Sequence, residues 1–254
     1  SIAAMALEAN VSEPTVNRFC RSMDTRGFPD FKLHLAQSLA NGTPYVNRNV
    51  NEDDSVESYT GKIFESAMAT LDHVRHSLDK SAINRAVDLL TQAKKIAFFG
   101  LGSSAAVAHD AMNKFFRFNV PVVYSDDIVL QRMSCMNCSD GDVVVLISHT
   151  GRTKNLVELA QLARENDAMV IALTSAGTPL AREATLAITL DVPEDTDIYM
   201  PMVSRLAQLT VIDVLATGFT LRRGAKFRDN LKRVKEALKE SRFDKQLLNL
   251  SDDR

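Results

Sequence analysis

Between residues 96 and 190 the chain alternates short apolar runs with stretches of helical periodicity. Residues 96–99, 120–124, 143–147, 169–174 and 186–190 are rich in Val, Ile, Leu, Ala and Phe with little polar alternation. A strand covered on both faces reads this way. In the intervening residues 103–117, 126–136 and 153–165, and in a shorter piece at 178–183, apolar positions recur every three to four residues, the period of a helix. Five strands separated by helices predict an α/β domain whose sheet is parallel and doubly wound. Ahead of it, residues 59–90 read as one or two amphipathic helices and residues 1–40 as a separate helical segment. Turn residues and acids from Asn41-Gly42-Thr43-Pro44 to Asn51-Glu52-Asp53-Asp54 have the chemistry of a linker. The expected organisation is a partial all-α unit at 1–42, a linker at 43–58 and the sheet domain at 59–254.

Two strand ends carry the chemistry. Val143-Val144-Val145-Leu146-Ile147 runs straight into Ser148-His149-Thr150-Gly151-Arg152-Thr153, after which the pattern turns helical. A helix N-terminus offers unpaired N–H groups and the positive end of its dipole to an anion. The hydroxyls of Ser148, Thr150 and Thr153 add neutral donors, and Gly151 lets the backbone come close. The same arrangement occurs earlier, where Ile96-Ala97-Phe98-Phe99 meets Gly100-Leu101-Gly102-Ser103-Ser104 and a helix starting at Ala105. Taken alone, such a turn also serves as a plain strand-to-helix connection. Neither turn has the third glycine of a dinucleotide fingerprint or the Gly-Lys-Ser/Thr of a nucleotide loop. Both together favour a small phosphorylated ligand, bound beyond the carboxyl ends of the strands where the two loops would meet.

The N-terminal residues have helix-turn-helix spacing. Ala6 is small enough for two helices to cross, Asn10 tolerates a left-handed turn and Val11 is placed to fill the corner. Ser12 is placed to cap a second helix with Pro14 in its first turn, and Val16 and Phe19 are expected to face its core. Asn17, Arg18 and Arg21 share the opposite side, with Arg suited to guanine edges and phosphates and Asn to adenine. An αα-hairpin with a polar outer face is the alternative. No further helix precedes this unit in the sequence, so the DNA-binding domain reads as incomplete.

Composition bounds the reading without deciding it. At 254 residues and 45% hydrophobic, the chain can bury a substantial core, and its formal charge is -2. No apolar run approaches the roughly 20 residues of a membrane span and no basic-then-apolar leader is evident, so a cytoplasmic protein is expected. Residues 202–215 are apolar on more than one face, as in a helix sandwiched in the fold or shared with a second subunit. Residues 225–245 form a basic helix, read as a solvated face with DNA or a partner as the alternative contact. Cys135-Met136-Asn137-Cys138 is a lone CxxC without further His or Cys at finger spacing, read as packing at a helix end rather than as a redox or zinc site.

The N-terminal segment, with Gly27-Phe28-Pro29-Asp30-Phe31-Lys32, resembles the RpiR family of bacterial transcription regulators, and the loops at 100–104 and 148–153 resemble the ligand loops of the SIS (sugar isomerase) domain that this family carries. The likeness covers essentially the whole chain, including residues 30–36, 41–48 and 194–201. It implies a flavodoxin-like SIS domain and a regulator of glucose and hexose catabolism that acts as a repressor, with activation as the alternative. The implied effector is 2-keto-3-deoxy-6-phosphogluconate or a related sugar phosphate, with no further cofactor and no metal. The effector positions are then Gly102, Ser103, Ser104, Ser148, His149, Thr150, Gly151, Arg152 and Thr153. Those facing operator DNA are Ser12, Thr15, Asn17, Arg18, Arg21 and Lys32, in a homodimer or larger assembly. Met23-Asp24 departs from the Leu-Gly of many members. Two other classes stay open: a phosphosugar isomerase using His149 or Glu194 as base, and a sugar-phosphate binding module acting through protein partners.

Overall fold

The computed structural model describes residues 2–23, 25–32, 49–197 and 200–239. Outside those residues lie 33–36, 41–48 and 198–199 of the stretches singled out above, Asp24, and the last part, 240–245, of the expected basic helix. The chain divides into two compact units, Ser1–Ser66 with Asp195–Met200, and Ala67–Glu194 with Pro201–Arg254.

In the first unit, helix α1 (Ile2–Glu8) ends at Asn10, whose φ of 50° is the left-handed conformation that Asn tolerates. The amide of Val11 closes the turn on the Ala6 carbonyl at 2.9 Å. Helix α2 (Glu13–Ser22) starts at Ser12, whose hydroxyl accepts from the Thr15 amide, with Pro14 in the first turn. Ala6, Val16 and Cys20 form the buried centre, with Ile2, Phe28 and Phe31 against it. Two expectations fail here. Phe19 is 48% exposed and lies edge-on to Phe31 instead of filling the core, because Cys20, one turn beyond Val16, takes the inward position. Val11 is likewise exposed, the corner being closed by its main chain. Residues 49–66 continue into helix α3 (Val56–Ser77), whose start is tied down by Asp54 and Lys62 at 2.7 Å.

The second unit is a five-stranded parallel sheet in the order β2-β1-β3-β4-β5, formed by β1 (Lys95–Gly100), β2 (Val122–Ser125), β3 (Asp142–Ile147), β4 (Met169–Thr174) and β5 (Leu186–Thr189). Helices alternate with the strands: α4 (Lys80–Gln92), α5 (Ser103–Phe115), α6 (Ile128–Met136), α7 (Lys154–Glu165), α8 (Pro179–Glu183) and α9 (Val203–Lys239). The strands lack polar alternation because both faces are covered. Phe98, Val145, Ile171 and Ile188 point into a core built with α4, α5 and α9. Ala97, Phe99, Val144, Leu146 and Ala172 point the other way, onto α6, α7 and α8. Strand β2 starts at Val122, two residues later than expected, since Pro121 has no N–H to give the ladder.

Helix α9 is broken at Gly224, where φ is 77° and ψ −163°. Its first part is sandwiched: Ala207, Val211, Ile212 and Leu215 are buried, while Leu206 and Val214 face out. Around the break Phe115, Phe118, Phe219 and Phe227 pack with ring centroids 4.9–5.8 Å apart, and the Arg223 guanidinium lies 5.1 Å from the Phe219 ring. Among the described residues no helix is long and apolar enough to cross a membrane.

Candidate functional site

The strand order places the two candidate loops side by side. The order in which strands are added reverses between β1, followed outward by β2, and β3, followed outward on the other side by β4, so the crevice at their carboxyl ends is the topological switch point. Gly100 and Ile147, the last residues of the two strands, are register partners. The turns at 101–104 and 148–153 therefore leave the sheet from adjacent points.

The first turn is shaped by glycines. A Cβ on Gly100 would lie 2.6 Å from the Ser104 carbonyl oxygen, so only glycine lets α5 start this close to the strand. Gly102 precedes the helix at φ 58° and ψ −129° and supplies no side-chain cap. Behind Ser103 the turn is already engaged: the Ser104 amide donates to the Leu101 carbonyl at 3.2 Å and the Ala105 amide to the Gly102 carbonyl at 3.1 Å. Ser103 and Ser104 are half-buried.

The second turn is braced from several sides. Ser148 is 5% exposed. Its amide donates to the Leu173 carbonyl at 3.1 Å, and its hydroxyl oxygen accepts from the Gly151 amide, also at 3.1 Å. The Thr150 hydroxyl oxygen accepts from the Arg152 amide at 3.4 Å. In both cases the hydroxyl acts as acceptor within the loop and keeps its own proton to donate. Gly151 is buried at φ 57°, its carbonyl accepting from the Leu180 amide at 3.1 Å. Thr153 begins α7 without making a side-chain cap, and Arg152 is exposed.

His149 anchors the loop instead of projecting a free ring. Its carbonyl accepts from the Ser175 amide at 3.1 Å and hydroxyl at 2.8 Å. Its Nε2 lies 3.1 Å from the Glu194 carbonyl oxygen. That oxygen can only accept, so Nε2 carries the proton. Glu194 in turn caps α9: its carboxylate accepts from the amides of Met202, Val203 and Ser204 at 2.7, 2.9 and 3.2 Å and from the Ser204 hydroxyl. Both residues nominated as an isomerase base are thus committed to architecture.

Three supporting residues were not evident from the sequence. Thr174 and Thr178 wall in Gly151: a Cβ there would meet their hydroxyl oxygens at 2.5 and 2.3 Å. Gln131 on α6 is fully buried, its Nε2 donating to the Ser125 carbonyl at 2.7 Å and the Gly100 carbonyl at 3.3 Å. The signal was present, since Gln131 sits one turn ahead of buried Cys135 on the apolar stripe of its helix.

At the other unit, Thr15, Arg18, Arg21 and Lys32 are described, with Arg18, Arg21 and Lys32 exposed. The hydroxyls of Ser12 and Thr15 lie 2.9 Å apart, and Arg18 donates to Thr15 at 3.3 Å, forming one polar strip along α2. Asn17 is turned away from that strip: its side-chain oxygen accepts from the Phe28 amide at 3.1 Å, and it is half-buried. Cys135 is fully buried and burial pushes its thiol up to about 12, while burial also raises that of Cys138. Both are free thiols at a helix end. No group of three or more His, Cys, Asp or Glu among the described residues is arranged to hold a metal ion.

Comparison with known proteins agrees in both halves. Residues 1–42 match the helix-turn-helix domain of the rpiR family, and residues 89–218 match the SIS domain. The chain is 58% identical over 243 residues to the HTH-type transcriptional regulator HexR of Pseudomonas aeruginosa, covering 96% of this chain and 85% of that protein. It is 38% identical to the bifunctional protein glk of Paraburkholderia xenovorans, across 93% of this chain and 37% of that much longer protein. The solved structure of Vibrio vulnificus NanR complexed with ManNAc-6P shares the fold, with a TM-score of 0.67 at 24% identity over 96% of this chain and 87% of that one. With a paired helix-turn-helix and parallel-sheet domain and a HexR relative aligned almost end to end, the chain belongs to the rpiR family of SIS-domain transcription regulators.

Proposed function

We propose that the protein is a DNA-binding repressor of glucose and hexose catabolism genes, released from its operator by a phosphorylated sugar acid held at the β1/β3 switch point. The observation that carries this reading is the adjacency of two hydroxyl-bearing helix N-termini at Gly100 and Ile147 in a chain that also has a helix-turn-helix. The phosphate is received at the N-termini of α5 and α7, where the helix dipoles favour an anion, and by the hydroxyl protons of Ser103, Ser104, Ser148, Thr150 and Thr153. Gly102, His149, Gly151 and Arg152 shape the two turns around it. The effector is 2-keto-3-deoxy-6-phosphogluconate, in keeping with the likeness to HexR, and the NanR complex supplies a precedent for a phosphosugar on this fold. Ser12, Thr15, Arg18, Arg21 and Lys32 face the DNA, while Asn17 braces the segment behind α2 through its bond to the Phe28 amide.

The working unit is a dimer or larger assembly, since helix-turn-helix proteins read two-fold operators and Leu206 and Val214 leave apolar surface on the outer side of α9. Calorimetry across phosphorylated sugars and sugar acids, with unphosphorylated counterparts as controls, tests the effector assignment. Tight binding confined to phosphorylated sugar acids is expected; indifference to the phosphate would reject it.

A further inference from the structure

One buried polar group lies outside the effector and operator contacts described above: Gln131. Its side chain is fully buried, and among the described residues its Oε1 is the buried side-chain oxygen or nitrogen that has no hydrogen-bond partner. The amide orientation is forced: Nε2 faces two carbonyl oxygens, those of Ser125 at 2.7 Å and Gly100 at 3.3 Å, and an oxygen in that place would be repelled by both. These carbonyls end β2 and β1, so the carboxamide lies at the carboxyl edge of the sheet. It also touches the residue from which the first ligand loop departs. A buried acceptor without a donor is costly and is retained where something supplies the donor.

Resting on the effector reading above, we infer that Gln131 is a specificity-determining residue whose Oε1 accepts a hydrogen bond from a hydroxyl of the bound sugar acid. The phosphate end does not meet this need, because a phosphate dianion has no proton to give. The sugar chain does. Phosphate capture then belongs to the hydroxyls and amides of the two turns, and discrimination between a polyhydroxy acid and any other phosphate ester belongs to Gln131. Its Nε2 bonds serve this role by holding the carboxamide at a fixed angle to Gly100. An acceptor built into a site rejects the analogue that lacks the matching hydroxyl more strongly than an apolar wall does, because the site's polar atom is then left unpaired.

The test compares 2-keto-3-deoxy-6-phosphogluconate with n-butyl phosphate, which keeps the phosphate and has no hydroxyl on its chain. Affinities for the full-length wild-type protein and for Gln131→Met are read by calorimetry, with butyl phosphate measured by displacement. The variant is expected to lose about five- to tenfold in affinity for the sugar acid and nothing for butyl phosphate. If both probes weaken equally, Gln131 is a strut for the sheet edge and the inference fails. It fails too if neither probe weakens. Should Gln131→Met not fold, Gln131→His keeps a ring N–H for the Ser125 carbonyl and serves in the same comparison. If the wild-type protein binds neither probe, the effector reading itself falls and this one with it.

Discussion

Substituting Gly151 by alanine tests the construction of the loop at 148–153. The glycine sits at φ 57°, where an L residue costs about 1–2 kcal/mol. The added methyl would lie 2.3 Å from the Thr178 hydroxyl oxygen, 2.5 Å from that of Thr174 and 2.6 Å from the Thr178 Cβ, so something must move by about an ångström to restore ordinary contact. Thr178 cannot swing aside freely. Its hydroxyl caps α8 by accepting from the Ala181 amide at 3.2 Å and donates to the Ser175 carbonyl at 3.0 Å. Overpacking of this kind costs about 1–3 kcal/mol, so the total is about 2–5 kcal/mol. That corresponds to a fall of roughly 5–15 °C in the melting temperature of a domain this size. Gly102→Ala is the control, since it also has positive φ but no atom within 4 Å of the added methyl. It should cost only the backbone strain, about 1–3 kcal/mol. Urea unfolding of both variants, followed by circular dichroism, provides the comparison. If Gly151→Ala loses no more stability than Gly102→Ala, the close approach of the loop to α8 is wrong.

Thr150→Ala should leave the melting temperature within a few degrees of wild type and weaken effector binding by about 1.5–3 kcal/mol, roughly tenfold to over a hundredfold, in calorimetry. Arg18→Ala should lower operator affinity by about 1–3 kcal/mol in a gel shift if the side chain reads a base, with effector affinity in the absence of DNA unchanged. Because burial holds the Cys135 thiol near 12, that residue stays protonated through neutral pH. In mass spectrometry it should resist iodoacetamide at pH 8 until the protein is unfolded, and prompt alkylation in the native state would contradict its placement.

The sheet was legible because its strands are buried on both sides. Runs such as Val143-Val144-Val145-Leu146-Ile147 have no polar residue to confuse with a loop or an amphipathic helix, and the two glycine- and serine-bearing turns mark where the chain changes element. Strand order was implied by pattern only as a class, yet it is what makes two distant turns neighbours. Positions set by side-chain competition were less legible. Phe19 and Cys20 are adjacent on α2, and which of them turns inward depends on Ala6 and Phe28 arriving from other segments. Asn17 read as part of the polar face, but its partner is an amide eleven residues away. Gln131 acts through the Gly100 carbonyl, 31 residues back, and Glu194 through amides of the next helix, and no local motif encodes such bonds.

The central claim is that sugar acid and operator compete through one conformational equilibrium, and it is tested most directly by measuring operator affinity of the full-length protein at rising concentrations of 2-keto-3-deoxy-6-phosphogluconate. An effector shifts the equilibrium only by its difference in affinity for the two states. Coupling of about 1–3 kcal/mol should lower operator affinity by roughly 5- to 150-fold, and operator DNA must weaken effector binding by the same factor. Operator binding that is equally tight with and without saturating sugar acid would contradict the account, even if each ligand were shown to bind alone.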